Sequence, residues 1–390
     1  MTRTSRARTL IALGLVLIIA AVVVWAVARS LVLRFPGTGF DLTEHDTGSA
    51  VLQASPATGA PQPGATLPLD LRRHRFGVGE SAGNVVVHED DTQTTGPLPP
   101  VLLNHQYVLD SGSAQNVADP RAFAYTPGNV VDRSGSYSVA FPAGTGTGPY
   151  GLWQDATGGV VRTTSAGTVQ RAGLSLTRFT GTSPSTAVQP ALLAQLGQQG
   201  LPSTLTVQQL APQLAAAGID TGAVDDAIAQ LDNPADRTEA RALFTAPVPM
   251  AFGLSTDGSL LVEPVTGIVV AVERVDRTLT MTPVVAQLGR LQLILGQSRY
   301  AGKPVVATGA QALARLAAHP PSVPYAKLTY SQDAASVAQA ASYARSRAGH
   351  IQLWTRTVPL VLAAVGLVLV LVGLVLGPRR RRRRPQTSGA

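Results

Sequence analysis

Four consecutive polar residues, His88, Glu89, Asp90 and Asp91, form the densest cluster of side chains that could bind a metal ion. A calcium loop of the EF-hand type alternates its carboxylates and places a glycine at its sharp turn, and this cluster does neither. We therefore predict a solvated loop here and no metal site. The other histidines are scattered, and none lies in the H-E-x-x-H pattern of a zinc protease: His45, His74, His105, His319 and His350.

Residues 146–151 fit the G-x-G-x-x-G pattern of dinucleotide-binding loops. Such a loop needs a helix directly after it to receive the pyrophosphate. Here Pro149, Trp153 and the pair Gly158 and Gly159 favour a turn and a strand instead. The chain also lacks a G-x-S-x-G elbow, a Walker loop and cysteine. We therefore expect a non-enzymatic protein with no cofactor, and a hydrolase with a dispersed triad stays an open alternative.

Two long uncharged segments, residues 9–28 and 357–378, are each long enough to cross a hydrocarbon core of about 30 Å as a helix. A helix satisfies its own backbone groups in lipid. Trp25 and Trp354 lie where interfacial aromatic residues are expected. We therefore predict two transmembrane helices. The alternative for the first segment is a cleaved signal peptide, because Ala-Val-Ala at residues 26–28 resembles a cleavage site.

The net charge of +8 is concentrated at the two ends of the chain. Arg3, Arg6 and Arg8 precede the first apolar segment, and six arginines at residues 379–384 follow the second. Removing these nine from the 31 basic residues leaves 22, against 23 acidic residues. The part of the chain between the ends is nearly neutral, which argues against a nucleic-acid partner.

Arginine-rich flanks resist translocation and stay in the cytoplasm. We therefore expect a plasma-membrane protein with a basic cytoplasmic N-terminus at residues 1–8 and a cytoplasmic tail at residues 379–390. Residues 29–356 would form an extracytoplasmic domain. Only two of the 31 basic residues are lysine, a bias typical of GC-rich genomes such as those of actinobacteria.

The extracytoplasmic part begins with residues 36–68, which are rich in Thr, Gly, Ala and Pro and predict an irregular stalk. Short alternating segments then favour strands at residues 85–87, 101–109 and 137–141. Residues 150–163, with two glycines in the middle, favour a hairpin.

A helical insert is predicted at about residues 190–244, where apolar residues recur at spacings of three and four. Thr206 and Thr221 are candidate N-caps, and Pro234 suits a helix start. The insert either packs on the sheet or forms a lid over an apolar cavity.

Strand patterns then return, with predicted turns at Asp257-Gly258 and residues 264–267, and continue through residues 279–295. A final helix is predicted at residues 331–347. The fold class is therefore α+β: a β-rich domain with a helical insert, flanked by terminal transmembrane helices.

Two short motifs resemble the actinobacterial PorA-like family of two-pass membrane proteins. The first is VDRSGSY at residues 131–137, with WQD at residues 153–155, and the second is VEPVTG at residues 262–267. To these motif residues we assign a structural role, with a ligand role left open: Asp132, Arg133, Tyr137, Trp153, Glu263, Pro264 and Gly267.

The resemblance implies a two-pass protein with a large extracytoplasmic domain. The family includes the mycobacterial polar growth factor PgfA, which is linked to a mycolate-lipid exporter, so the resemblance implies an envelope lipid and a lipid transporter as partners. The alternatives are a structural or sensory scaffold that binds protein or cell-wall polymer and, third, a porin-like channel. Two apolar helices cannot enclose a pore without oligomerising. No ligand-binding residue and no oligomeric state are assigned.

Overall fold

A computed structural model describes residues 3–54, 61–198 and 200–376. The chain divides into two compact units. The helical unit comprises Met1–Phe35 and Tyr343–Ala390, and the sheet unit comprises Pro36–Ser342. The predicted α+β class with apolar helices at both ends is confirmed.

The sheet unit is built on a curled, antiparallel half-barrel. Within the described residues its sheet has twelve strands in the order β5-β4-β3-β2-β1-β12-β11-β10-β8-β7-β6, with β9 paired to β10. The strands are β1 (Asp41–Ala54), β2 (Pro61–Ser81), β3 (Asn84–Thr95), β4 (Val101–Asp110), β5 (Phe123–Tyr125), β6 (Tyr150–Gln154), β7 (Gly159–Arg171), β8 (Leu174–Ala187), β9 (Thr204–Leu205), β10 (Val248–Val262), β11 (Val269–Pro283) and β12 (Val323–Gln332).

The prediction of an irregular stalk at residues 36–68 is wrong. β1 and the start of β2 lie in this range, and β1 pairs with β2 on one side and with β12 on the other. Gly48 allows the backbones of β1 and β12 to approach closely, because a Cβ at this position would lie 2.0 Å from the carbonyl oxygen of Thr329. Residues 55–60 of the predicted stalk lie outside the described residues.

The turn predicted at Asp257-Gly258 is also wrong. Both residues lie inside β10, opposite Asp276 and Val275 of β11, and β8 pairs with the other edge of β10. An Asp-Gly pair favours reversal when the chain is free to turn, but strand partners on both sides hold it extended. The predicted turn at residues 264–267 and the hairpin of β6 and β7 are confirmed.

Helices flank and interrupt the strands. They are α1 (Arg3–Val32), α2 (Pro190–Gln198), α3 (Val207–Ala216), α4 (Thr221–Ala229), α5 (Pro234–Thr245), α6 (Leu288–Leu295), α7 (Pro304–Ala318), α8 (Ala334–Gln352) and α9 (Val358–Leu376). Thr206 caps α3 and Pro234 begins α5, as predicted. Thr221 does not cap α4, because the carboxylate of the preceding Asp220 accepts the N–H of Ala223 instead.

The strand prediction for residues 279–295 holds only as far as Pro283. A 3-10 turn then leads into α6, whose buried residues recur at helical spacings: Leu288, Leu291, Ile294 and Leu295. Together with α3, α4, α5 and α7, this helix packs against β10, β11 and β12 in the largest apolar core of the described residues.

Residues 137–141 do not form the predicted strand, although Tyr137, Val139, Ala140 and Phe141 are buried. Tyr137 donates its N–H to the carbonyl of Gly151 at 2.8 Å, in a single bridge to β6. Phe141 donates to the carbonyl of Gly267 at 2.8 Å, in the turn between β10 and β11. The alternation reflects packing of rings in an irregular segment that crosses between strands.

In the helical unit α1 and α9 pack through small residues. Every seventh residue of α1 on this face is buried: Ala7, Gly14, Ala21 and Ala28. A Cβ at Gly14 would lie 2.4 Å from the carbonyl oxygen of Gly366, and one at Gly373 would lie 2.9 Å from that of Ala7. The two helices therefore run antiparallel with their backbones in contact.

Both terminal helices are long and apolar enough to cross a membrane, over Ala7–Val32 and Ala334–Leu376. α8 continues into α9 through a π-helical turn at Leu353–Thr357, and Pro359 lies in the first turn of α9. Such a widened turn accommodates a residue that lacks an N–H.

Candidate functional site

A cavity of about 420 Å³ is lined by strands of the curled sheet and by α2. This volume lies within the range of about 300–1,000 Å³ that is usual for small-molecule sites. Leu254 of β10, Leu279 of β11, and Leu192 and Leu196 of α2 contribute to its apolar lining. The helical insert thus has two roles: α3, α4 and α5 pack in the core, and α2, which has no buried residue, borders the cavity.

An ion-pair cluster from β1, β2 and β3 borders the same cavity, formed by Glu44, Arg73, Arg75, Glu89 and Asp91. Arg73 donates from Nη1 to Glu44 Oε2 at 2.9 Å and from Nε to Asp91 Oδ1 at 3.2 Å. Arg75 donates from Nε to Glu89. Glu44 and Glu89 are only 2% and 3% exposed, and buried charges at such positions require partners.

The strand register explains how the cluster forms. Arg73 lies opposite Glu44 on β1 and opposite Asp91 on β3. Alternate residues of a strand share one face, so the carboxylates of Glu89 and Asp91 meet Arg73 and Arg75 on that face. The prediction of a solvated loop at residues 88–91 is therefore wrong.

Burial and pairing separate the acidities of two neighbouring carboxyls. Burial and the negative charge of Glu89 raise the pKa of Asp91 to about 7, although Arg73 opposes them. Burial acts to raise the pKa of Glu89 as well, but Arg75 and Arg73 outweigh it and lower that pKa to about 2. Glu89 therefore stays ionised, and Asp91 exchanges a proton near neutral pH.

Arg133, from the first family motif, forms a second buried ion pair at the cavity wall. It donates to Asp155 Oδ1 from Nε at 2.8 Å and from Nη2 at 2.6 Å, and it also donates to the carbonyl oxygens of Gln106 at 3.1 Å and Phe123 at 2.9 Å. Trp153 Nε1 donates to the same oxygen of Asp155 at 3.0 Å. The motif thus ties β4, β5 and β6 together.

Tyr107 links the Arg133–Asp155 ion pair to the ion-pair cluster. Its hydroxyl lies 2.8 Å from Glu89 Oε1 and 3.1 Å from Asp155 Oδ2. The guanidinium of Arg133 lies over its ring, 4.7 Å from the centroid. The two ion-paired groups therefore form one continuous polar wall.

The other motif residues shape turns away from this polar wall. Asp132 is exposed, and its carboxylate accepts the N–H of Ser134 at 2.9 Å. Glu263 accepts the N–H of Thr266 at 2.8 Å and so holds the turn that contains Pro264. Gly267 has a φ of +76°, a conformation that favours glycine. Tyr137 stacks on Phe141, with ring centroids 6.0 Å apart.

Glu89, Asp91 and His105 present ligand atoms within 4.8 Å of one another, which is an arrangement able to hold a metal ion. The two carboxylates are nevertheless bonded to guanidinium groups, which repel a cation. Burial lowers the pKa of His105, against the opposing charge of Asp155, and its Nδ1 has no hydrogen-bond partner among the described residues. The geometry favours an internally neutralised cluster with a neutral imidazole.

His45 lies between two carboxylates outside the cavity. Its Nε2 is 2.7 Å from Asp70 Oδ2 and its Nδ1 is 2.8 Å from Asp333 Oδ2. The hydrogen bond to Asp70 raises the pKa of His45 more than burial lowers it, and Asp333 adds to the rise. Both ring nitrogens are engaged, so this histidine joins β1, β2 and the start of α8 without activating a hydroxyl.

The strand β6 begins at Tyr150, within the glycine-rich segment at residues 146–151, so the predicted strand in place of a helix is confirmed. No local sequence motif marks the ion-pair cluster. A signal for it exists: charged residues stand two apart in Glu44 and Asp46, in Arg73 and Arg75, and in Glu89 and Asp91. The three pairs form one cluster only because β1, β2 and β3 are neighbours in the sheet, and this pairing of strands is not visible in the local sequence.

The chain combines a curled antiparallel sheet that lines a cavity with two apolar terminal helices. The two helices are consistent with a two-pass membrane protein. The family model described as Porin PorA matches residues 7–375. The chain therefore belongs to the PorA family, and the predicted family resemblance is confirmed. A search of curated proteins finds no match.

Proposed function

We propose that this protein is a non-enzymatic cell-envelope factor that binds an amphipathic envelope lipid in the cavity of the sheet unit and exchanges it with a lipid transporter. The observation that carries the proposal is a single cavity with two kinds of lining. Leucines from β10, β11 and α2 offer an apolar surface, and charged side chains from β1, β2 and β3 offer a polar one.

The lining matches the two parts of such a ligand. An acyl chain placed against the leucines would be stabilised by about 25 cal/mol for each Å² of apolar surface removed from water. A headgroup at the polar wall would meet side chains whose positions are already fixed by ion pairs, so little ordering would be needed on binding.

The helical unit supports an orientation with both termini on one side of the membrane. Antiparallel packing of α1 against α9 places the start of α1 and the end of α9 on the same side. Arginine-rich flanks stay in the cytoplasm, so the proposal places the sheet unit outside the cell membrane.

Photolabelling of the full-length protein in detergent tests the lipid-binding half. The probes are palmitic acid that carries a diazirine in its chain and the methyl ester of that acid, and labelled peptides are mapped by mass spectrometry. We expect labels on α2 and β11. Leu279→Trp fills the cavity and should abolish them, whereas Leu293→Trp, at a position of α6 that is 75% exposed, should leave them unchanged. Equal labelling of both variants, or labels spread over the surface, would overturn the proposal.

A channel is the second candidate, because the family description is that of a porin. Contact between Gly14 and Gly366 leaves no lumen between α1 and α9, so a channel would require several copies of the chain. Planar-bilayer recording of purified protein decides this point: reproducible unitary conductance would favour the channel, and its absence at high protein density would remove it.

A further inference from the structure

Arg277 is a cationic side chain of the cavity that has no ion pair within the described residues. It lies on β11 and lines the cavity. Its guanidinium carbon is 5.7 Å from the centroid of the Tyr330 ring on the neighbouring strand β12. Its Nε is buried and has no hydrogen-bond partner in the described part of the chain. The guanidinium therefore lies against a ring and forms no ion pair with any residue that the structure describes.

The other cavity-lining guanidinium groups differ in this respect. Arg73 and Arg75 bond the carboxylates of the ion-pair cluster. Asp46 lies near enough to interact with the charge of Arg277, but its Oδ1 also has no hydrogen-bond partner among the described residues. Burial raises the pKa of Asp46, so that carboxyl can relieve its own burial by taking up a proton.

A guanidinium has no such outlet, because it stays protonated in proteins. Arg277 is half-buried. An unpaired charge that is partly withdrawn from water is costly, and the cost falls when an anion binds. The residue two positions further along β11, Leu279, lies on the same face and lines the cavity beside it. A cation and an apolar surface are thus about 7 Å apart on one strand.

We infer that Arg277 anchors the anionic headgroup, a carboxylate or a phosphate, of an amphiphile whose tail lies along Leu279 and the leucines of α2. This inference rests on the proposed lipid-binding function and specifies the ligand's charge. A hydrogen-bonded ion pair formed in such a site favours the anionic ligand over a neutral analogue by about tenfold or more in affinity.

The test compares the two photoactivatable probes, diazirine palmitic acid and its methyl ester, on the full-length protein. We expect the acid to bind about tenfold more tightly than the ester. Arg277→Gln should reduce acid binding to the level of the ester and leave ester binding unchanged, whereas Arg277→Lys should retain most of the preference. The matched control is Arg274→Gln on the same strand, because Arg274 is exposed and pairs with Asp276. Circular dichroism establishes whether each variant is folded. If Arg277→Gln is not folded, the comparison of acid and ester binding is made with Arg277→Lys.

Equal binding of acid and ester by the wild type, with both labelling the cavity, would overturn the inference and leave the proposed function standing. Failure of both probes to label the cavity would instead remove the proposed function. Displacement of the acid by an equal concentration of inorganic phosphate would show a site for free anions, and it would also overturn the assignment to an amphiphile.

Discussion

Replacing Arg133 by Met should destabilise the sheet unit by about 3–5 kcal/mol, the cost of removing one partner from a buried ion pair. The side chain is only 2% exposed and makes four hydrogen bonds, two of them to Asp155. Its loss leaves that carboxylate without its cationic partner and two backbone carbonyls without a donor. Unfolding entropy of about 2.1 cal/mol/K per residue, over about 300 residues, converts this cost to a fall in Tm of about 5–8 °C.

The assay is thermal unfolding of the full-length protein in detergent, followed by near-ultraviolet circular dichroism of the sheet unit. Arg121→Met is the matched control. Arg121 pairs with Asp119 at 2.7 Å but is 42% exposed in its side chain, and exposed pairs contribute less than about 1 kcal/mol. An exposed pair is expected to change Tm by roughly 1–2 °C. If both variants melt within that range of the wild type, the Arg133–Asp155 ion pair does not stabilise the sheet.

Two further substitutions test the sheet unit and the helical unit individually. Asp91 keeps its proton up to about pH 7 in the folded protein but releases it near 3.8 when unfolded, so its contribution to stability is full below pH 4 and is lost as the pH rises toward 7. Asp91→Asn should flatten this loss in urea unfolding at pH 4, 5.5 and 7.5, and an unchanged slope would contradict the assignment. Gly366→Leu should push α1 away from α9, because a Cβ there would lie 2.6 Å from the carbonyl oxygen of Gly14. Spin labels on cysteines introduced into this cysteine-free chain report the spacing; Val368→Leu on the exposed face of α9 should not change it, and equal distances in both variants would contradict close packing.

The elements that depend on local signals are predictable from the sequence. Residues 9–28 and 357–378 stand out by uninterrupted apolar composition, and both lie almost entirely within the terminal helices. Thr206 and Pro234 act through side-chain and backbone chemistry confined to one helical turn. The hairpin of β6 and β7 is likewise set by its own turn.

The elements that depend on distant partners are not predictable in this way. Residues 36–68 lack a clear alternation, yet β1 lies at the centre of the sheet, where β2 and β12 supply its hydrogen bonds. Asp257 and Gly258 favour a turn locally, and pairing on both edges of β10 overrides that preference. α7 and β12 were not predicted as separate elements.

The candidate site shows the same division. Both family motifs are visible in the sequence. Trp153 lines the cavity, and Arg133 bonds to Asp155, which also lines it, although a ligand role for Arg133 and Trp153 stays a prediction. The sequence at residues 88–91 lacks the pattern of a calcium loop and predicts a solvated loop, whereas the structure places these residues on β3. The buried face of the ion-pair cluster exists only because β2 supplies Arg73 and Arg75 in register.

The central claim is that the cavity holds an amphipathic lipid, and native mass spectrometry of full-length protein purified from its own membrane tests it most directly. We predict that the wild type and Leu293→Trp retain one lipid per chain after mild detergent extraction and that Leu279→Trp retains none. Protein that is reproducibly free of lipid, or a lipid that survives in the Leu279→Trp variant, would contradict the account.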